Sequence, residues 1–340
     1  MLPAALLTPV MACSDIETVE ASYAGIRRGA AWRVVPRDGV IVTGPGARDW
    51  LQGQLSQDVS TLGGKVGSAE TLVLSPQGKI DCYSRVASVG EDRFLLDVAS
   101  GYGNVLFERL RRFKLRVKAD LELVDGLHMV ELRGPYLPAG AGLGARGVLQ
   151  PLAVIDVDWP GWSGRDVVFT GDPTAIDGSA LGLEAVGAGA DEAFDAARIE
   201  AGVPRLGAEL TERTIPQEAG DLVDHSVSFT KGCYTGQELV ARLDARGSNT
   251  PRRLRGLVIE GDRGGARPAP GDALLTGDGD SIGELTSAAW SPGFGSYVAL
   301  GYLKRSVDVP AGVSVRLNGE QDGDGSLRQA AARSLPLFEE

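Results

Sequence analysis

A chain of 340 residues with 43% apolar and 23% charged content is long enough for about two or three domains with ordinary hydrophobic cores. Its formal net charge of −11 argues against a dedicated binder of nucleic acid, since such a surface gains little from counterion release on a polyanion. Cys13, Cys82 and Cys233 are odd in number and far apart, and only His128 and His225 could add imidazole ligands, so no permanently bound metal is expected and a reducing compartment fits.

From the N-terminus, Met1 to Cys13 lacks the basic start of a secretory signal, and no run approaches the ~18–20 apolar residues of a membrane span. A cytoplasmic protein without membrane contact is therefore expected. Val34 to Val42 reads as a strand closed by Gly44-Pro45-Gly46, and Ala47 to Leu55 has helical spacing of Trp50, Leu51 and Leu55. Two strands, Leu72–Leu74 and Ile80–Val86, flank the turn Ser75-Pro76-Gln77-Gly78. Phe94–Val98 predicts a strand, Gly101–Phe113 a helix, and the alternation of Leu115, Val117, Ala119, Leu121 and Leu123 a half-buried strand.

Strand-like segments at Met129–Leu132, Leu152–Val157 and Val167–Phe169 precede a helix from Glu192 to Ala201, with Gly140–Gly147 read as a loop. Beyond Gly247 the chain turns to short strands at Leu254–Glu260, Ala273–Leu275, Ile282–Ser287, Val298–Tyr302 and Val313–Leu317, the pattern of a small barrel or sandwich; Gln321–Gly325 reads as a mobile loop. Mixed rather than alternating elements make the class α+β. The expected division is an N-terminal extension over 1–24, an α+β region over 25–125, a second over 126–247 and a β-barrel domain over 248–340. With no heptads and no interface stripe, a monomer is expected.

The segment richest in chemistry is Lys231-Gly232-Cys233-Tyr234-Thr235-Gly236-Gln237-Glu238. Thr235 and Glu238 have capping-box spacing ahead of Leu239, Val240 and Leu243, so a helix is predicted to start near Gly236 with Cys233 in the loop before it. Unpaired N–H groups at that helix start, with Lys231 two residues away, favour a thiolate and predict an acidic thiol. Cys233 is therefore either a reactive thiol or a small buried filler.

These eight residues resemble the K-G-C-Y-x-G-Q-E motif of the YgfZ family, folate-binding proteins that support iron–sulfur enzymes and share the fold of aminomethyltransferase, the T-protein of glycine cleavage. Arg198-Ile199-Glu200-Ala201-Gly202-Val203-Pro204-Arg205-Leu206-Gly207 resembles that family's R-x-E-x-G-x-P-x-x-G stretch, and Leu210-Thr211 with Ile215-Pro216-Gln217-Glu218 its L-T and I-P-x-E segment. Leu51-Gln52-Gly53 to Asp58 and Ser75-Pro76-Gln77-Gly78 resemble its upstream elements, so the likeness spans about Trp32 to Gly247.

The resemblance implies a T-protein-like folate-binding fold of two interleaved α+β subdomains and a C-terminal β-barrel. It implies tetrahydrofolate as the ligand, Glu200 as the acid that holds the pterin through adjacent N–H donors, and Arg198, Tyr234 and Gln237 around it. Cys233, helped by Lys231, would be the working group of an accessory factor for iron–sulfur assembly or repair, rather than of a conventional enzyme. Its partners would be iron–sulfur client or assembly proteins, and its effect on tRNA modification would be indirect.

The alternative is a folate-dependent one-carbon transferase assisted by Asp81 or Asp58. It is weakened because Gly78-Lys79-Ile80-Asp81-Cys82 offers one acid where aminomethyltransferases carry a pair. The basic run Arg109, Arg111, Arg112, Lys114, Arg116 and Lys118 is either a solvated face or a site for the glutamates of a folate tail or an acidic partner.

Overall fold

The computed structural model describes residues 13–63, 67–137, 151–176, 178, 181, 189–318 and 326–337. The segments 140–147 and 321–325, read above as loops, lie outside the described residues. The chain opens with helix α1 (Cys13–Arg28), then strand β1 (Ala31–Thr43), α2 (Ala47–Gln54), β2 (Ser68–Leu74), β3 (Ile80–Gly90), β4 (Arg93–Ala99) and α3 (Gly103–Arg112). β5 (Asp120–Val124), β6 (Leu127–Arg133), β7 (Pro151–Trp159), β8 (Trp162–Thr170), α4 (Asp191–Ala201), α5 (Leu222–Ser226) and α6 (Gln237–Asp244) follow. The C-terminal part comprises β9 (Arg252–Ile259), β10 (Ala273–Leu275), β11 (Ser281–Ser291), β12 (Ser296–Lys304), β13 (Ala311–Arg316) and β14 (Leu327–Arg333).

One eight-stranded sheet runs β2-β3-β4-β1-β6-β8-β7, with β5 on the other edge of β1. Its two halves interleave through β1, whose Ala31–Pro36 pair with β6 and whose Arg37–Thr43 pair with β4. Pro36, which has no ladder donor, sits where the partner changes. One apolar core lies under α2 and α3 and takes in Leu51, Leu72, Phe94 and Leu110 together with Tyr234 and Val240 from the chain around α6. The α+β class and the terminal barrel expected from sequence are both present, the barrel closing in the order β10-β11-β12-β9-β14-β13.

Four local readings change. Within the stretch 1–24 read as an extension, residues from 13 onward belong to α1, which buries Val19, Tyr23 and Ile26 against α4 and the barrel. The strand read from Leu115 is confined to β5, because Arg116 takes a left-handed φ of 55° and only Asp120–Val124 register with β1. β14, absent from the sequence reading, seals the barrel between β9 and β13. Its polar, alanine-rich sequence buries only Ala330 and Ala332, too weak an alternation to mark a strand. The capping box of α6 does not form: Gly236 is the N-cap, and Glu238 points to solvent and pairs with Arg242 at 3.3 Å.

Candidate functional site

The Cys233 loop is clamped from both sides. Ser228 N–H donates to Ser56 O and Thr235 N–H to Gly53 O, so the loop runs along the C-terminal end of α2. On the other flank Gly236, at φ 82°, presses on the β2–β3 turn, where a Cβ would lie 2.5 Å from Ser75 O. The facing Gly78, at φ 76°, would place a Cβ 2.7 Å from Leu239 Cβ. Only glycine satisfies both the backbone angle and the approach at these two positions.

Within this clamp Tyr234 points inward, and burial pushes its phenol up to about 12. Lys231 turns under the loop and donates from Nζ to Leu55 O at 2.7 Å and Gln57 O at 2.8 Å. Burial draws its ammonium down to about 8, with Asp58 opposing the shift. Lys231 thus ties the loop to the segment just after α2 through two carbonyls, a role its position in the sequence does not signal. Gln237 is half-buried at the start of α6, its N–H on Tyr234 O.

Cys233 itself is exposed, whereas Cys82 is sealed in the core, its thiol pushed up to about 12 by burial and by Asp81 beside it. In the native protein a soluble disulfide reagent should therefore modify Cys233 and leave Cys82 intact until denaturant is added. Peptide mass mapping checks this; modification of Cys82 at the same rate as Cys233 would refute the placement.

A cavity of about 420 Å³ opens where the two half-sheets, α4 and α5 meet. Tyr83, Met129 and Trp159 give it flat and soft surface, while Ala69, Ala99 and Gly202 leave room. One wall is an ionic lattice built across five strands. Asp97 accepts from Arg37 at 2.7 Å and Arg85 at 2.8 Å, Asp166 accepts from Arg133 at 2.7 Å and also from Arg85, and Arg33 pairs with Glu131 at 2.6 Å. Burial opposes ionisation of Asp97, yet Arg85 and Arg37 together hold its carboxyl below the usual range; Arg33 and Arg133 do the same for buried Glu131. Arg133 also lies 4.4 Å from the Trp159 ring centroid. None of these charges was singled out from sequence, although an Asp or Arg inside an otherwise apolar strand was the available signal.

The residues expected around a ligand divide. Arg198 lines the cavity, bonded to Val203 O, Glu209 and Ser287. Glu200 does not line it. Its carboxylate is fully buried on the opposite face of α4 and accepts from Tyr23 Oη at 2.8 and 2.9 Å and from Ser291 Oγ at 2.5 Å. Burial raises its pKa, more than the Ser291 and Tyr23 hydroxyls lower it. Glu200 thus lies away from this cavity while Arg198 lines it, because two positions along a helix turn a side chain about 200° away. The acid that α4 presents to the cavity is Asp195, one turn before Arg198.

Cys233, Lys231, Tyr234 and Gln237 lie outside the lining, but His225, whose carbonyl accepts from Gln57, lies on it, so the clamp and the cavity share α5. Asp81 is held by Arg109 at 3.0 Å and Asp58 by Gln52 and Ser60, both away from the cavity. No cluster of His, Cys, Asp and Glu among the described residues could hold a metal ion. No helix among them is long and apolar enough to cross a membrane.

Comparison with known proteins agrees with this architecture. Residues 252–322 match the glycine cleavage T-protein C-terminal barrel domain family. The crystal structure of the glycine cleavage system aminomethyltransferase T from Bartonella henselae superposes with a TM-score of 0.76 at 22% identity, over 94% of this chain and 89% of that one. An aminomethyltransferase from Streptomyces avermitilis is 29% identical, covering 83% of this chain and 81% of its own. The tRNA-modifying protein YgfZ of Edwardsiella ictaluri is 28% identical over 61% of this chain and 65% of its own, and a mitochondrial iron-sulfur cluster assembly factor IBA57 homolog from Pyricularia oryzae is 27% identical over 75% and 65%. These likenesses support a YgfZ-family protein related in fold to aminomethyltransferase. The cysteine loop and the cavity are thus set in a fold shared with the T-protein.

Proposed function

We propose that this YgfZ-family protein binds tetrahydrofolate in the central cavity and acts through Cys233 as an accessory factor for iron–sulfur proteins. The observation that carries the reading is the pairing of a deep, ligand-sized cavity with an exposed thiol on a loop that shares α5 with it. The lining suits a reduced pterin. Tyr83 and Trp159 offer ring faces, Asp195 an acceptor for its N–H edge, and the Nε of Arg198 and the Nε and Nη2 of Arg133 are donors in the wall with no hydrogen-bond partner among the described residues.

The iron–sulfur part rests on the YgfZ and IBA57 relatives, as does an indirect bearing on tRNA modification. Of Cys82 and Cys233, only Cys233 is exposed, so a cluster in transit would be held by Cys233 together with ligands of a client or assembly protein. A monomer working in the cytoplasm is part of this reading. One-carbon transfer is the second reading, favoured by the aminomethyltransferase relatives. It is opposed by the location of Asp81 and Asp58 outside the cavity.

Location of the ligand is testable by fluorescence. Tetrahydrofolate should quench tryptophan emission in the parent protein, and Trp159→Phe should remove most of the saturable quench. An unchanged quench in Trp159→Phe would place the ligand elsewhere.

A further inference from the structure

A second concavity, of about 530 Å³, lies on the outer face of α3 and is lined by Asp81, Val105, Glu108, Arg109, Arg111 and Arg112. Nothing in the folate reading uses it, and none of the basic run from Arg109 to Lys118 lines the central cavity, so these cations do not hold the tail of a ligand lodged there. Arg109 is the informative residue. Its side chain is nine-tenths buried, its Nε donates to Asp81 at 3.0 Å and its Nη2 to Leu74 O at 2.7 Å. Its Nη1 has no hydrogen-bond partner among the described residues. A buried guanidinium with an unused donor at a concave surface calls for an acceptor from outside.

The surroundings select the kind of acceptor. Arg111 and Arg112 are exposed beside it, Val105 is 46% exposed, and Leu115 just beyond α3 is 79% exposed. Basic and exposed apolar groups thus occur together on and just beyond α3, in a chain whose net charge is −11. Asp81 and Glu108, paired with Arg109 and Arg111, oppose any uniformly anionic occupant, and a nucleic acid has no aliphatic side chains for Val105 and Leu115. An acidic segment of a protein, with carboxylates interspersed among aliphatic side chains, matches both features. Position adds a reason. Arg109 bonds the carbonyl of Leu74, and Gly236 of the Cys233 clamp packs on the same Leu74.

We propose that the outer face of α3 is a docking site for an acidic amphipathic segment of a protein partner, held by Arg109, Arg111 and Arg112 beside the Cys233 loop. The site is independent of whether the central cavity binds folate.

The probe is a fluorescently labelled synthetic peptide of alternating Glu and Leu pairs, read by anisotropy against the full-length protein. Its Gln-for-Glu counterpart and a single-stranded oligoribonucleotide of about twelve nucleotides serve as comparisons. Binding of the acidic peptide should weaken about tenfold in the Arg111→Glu, Arg112→Glu double variant and similarly between low and half-molar salt. Val105→Ser should weaken it less, and the Gln peptide should bind poorly. Arg111 and Arg112 are exposed, so the double variant keeps its melting temperature, which checks that the fold is intact. Absence of peptide binding, equal binding by the double variant, or tighter binding of the RNA than of the peptide would each overturn the proposal.

Discussion

Cys233→Ser should lower the activity of iron–sulfur enzymes in cells about tenfold or more relative to the parent, at equal protein abundance and unchanged melting temperature. The side chain is exposed, so its replacement by an isosteric hydroxyl changes stability by no more than about 0.5 kcal/mol. What disappears is the sulfur, whose roles as nucleophile and metal ligand the serine hydroxyl does not fill. The measurement is complementation of a deletion strain with succinate dehydrogenase or aconitase activity as the readout. The same variant separates the two functional readings, because a one-carbon transferase using carboxylates would survive it. Full complementation by Cys233→Ser would remove the cysteine from the account.

Glu200→Ala should cost about 3–5 kcal/mol of stability. The substitution strands the hydroxyls of Tyr23 and Ser291 inside the contact between α1, α4 and β11, at about 1–3 kcal/mol each, and adds a void. Tyr23→Phe, which removes one donor and leaves the ring, should cost about 1 kcal/mol. Protonation supplies a second signature. The pKa of Glu200 is raised in the folded state, so folding favours its protonated form. That contribution is complete below the unfolded-state pKa and is lost as pH rises through the folded-state value. Glu200→Gln keeps a neutral group at every pH, so its stability relative to the parent should improve from pH 4 toward pH 7. Asp97 has the opposite sign, its stabilisation present above the unfolded-state pKa and lost on acidification. Urea titrations across that range check both; a Glu200→Gln difference that does not move with pH would contradict the burial assigned to it.

Much of the architecture was legible in the residues. Ala47 to Gln54 and the turn from Ser75 to Gly78 carry their own local signals, a helical apolar spacing and a proline–glycine turn, and both form where those signals place them. The Cys233 loop and the start of α6 were legible for a different reason. Glycines at 232 and 236 and the apolar positions behind them mark a tight entry to a helix, although the cap is the backbone of Gly236 rather than Thr235.

What the sequence concealed is long-range. Arg37, Arg85, Asp97 and Asp166 are isolated charges in separate strands, and only the β3-β4-β1-β6-β8 pairing turns them into one wall. Motif resemblance located Glu200, but helix phase decides which face it serves. Asp195 and Arg198, three apart, look into the cavity, and Glu200 looks away. Lys231 likewise sits beside Cys233 in sequence while its ammonium is spent on the carbonyls of Leu55 and Gln57, a contact no local pattern encodes.

Calorimetric titration with tetrahydrofolate tests the central claim most directly, using the parent protein, Ala69→Trp to fill the cavity and Glu200→Gln as a buried control outside it. The account predicts saturable heat with one equivalent for the parent and for Glu200→Gln, and none for Ala69→Trp. No binding by the parent, or binding by Ala69→Trp equal to the parent's, would contradict it.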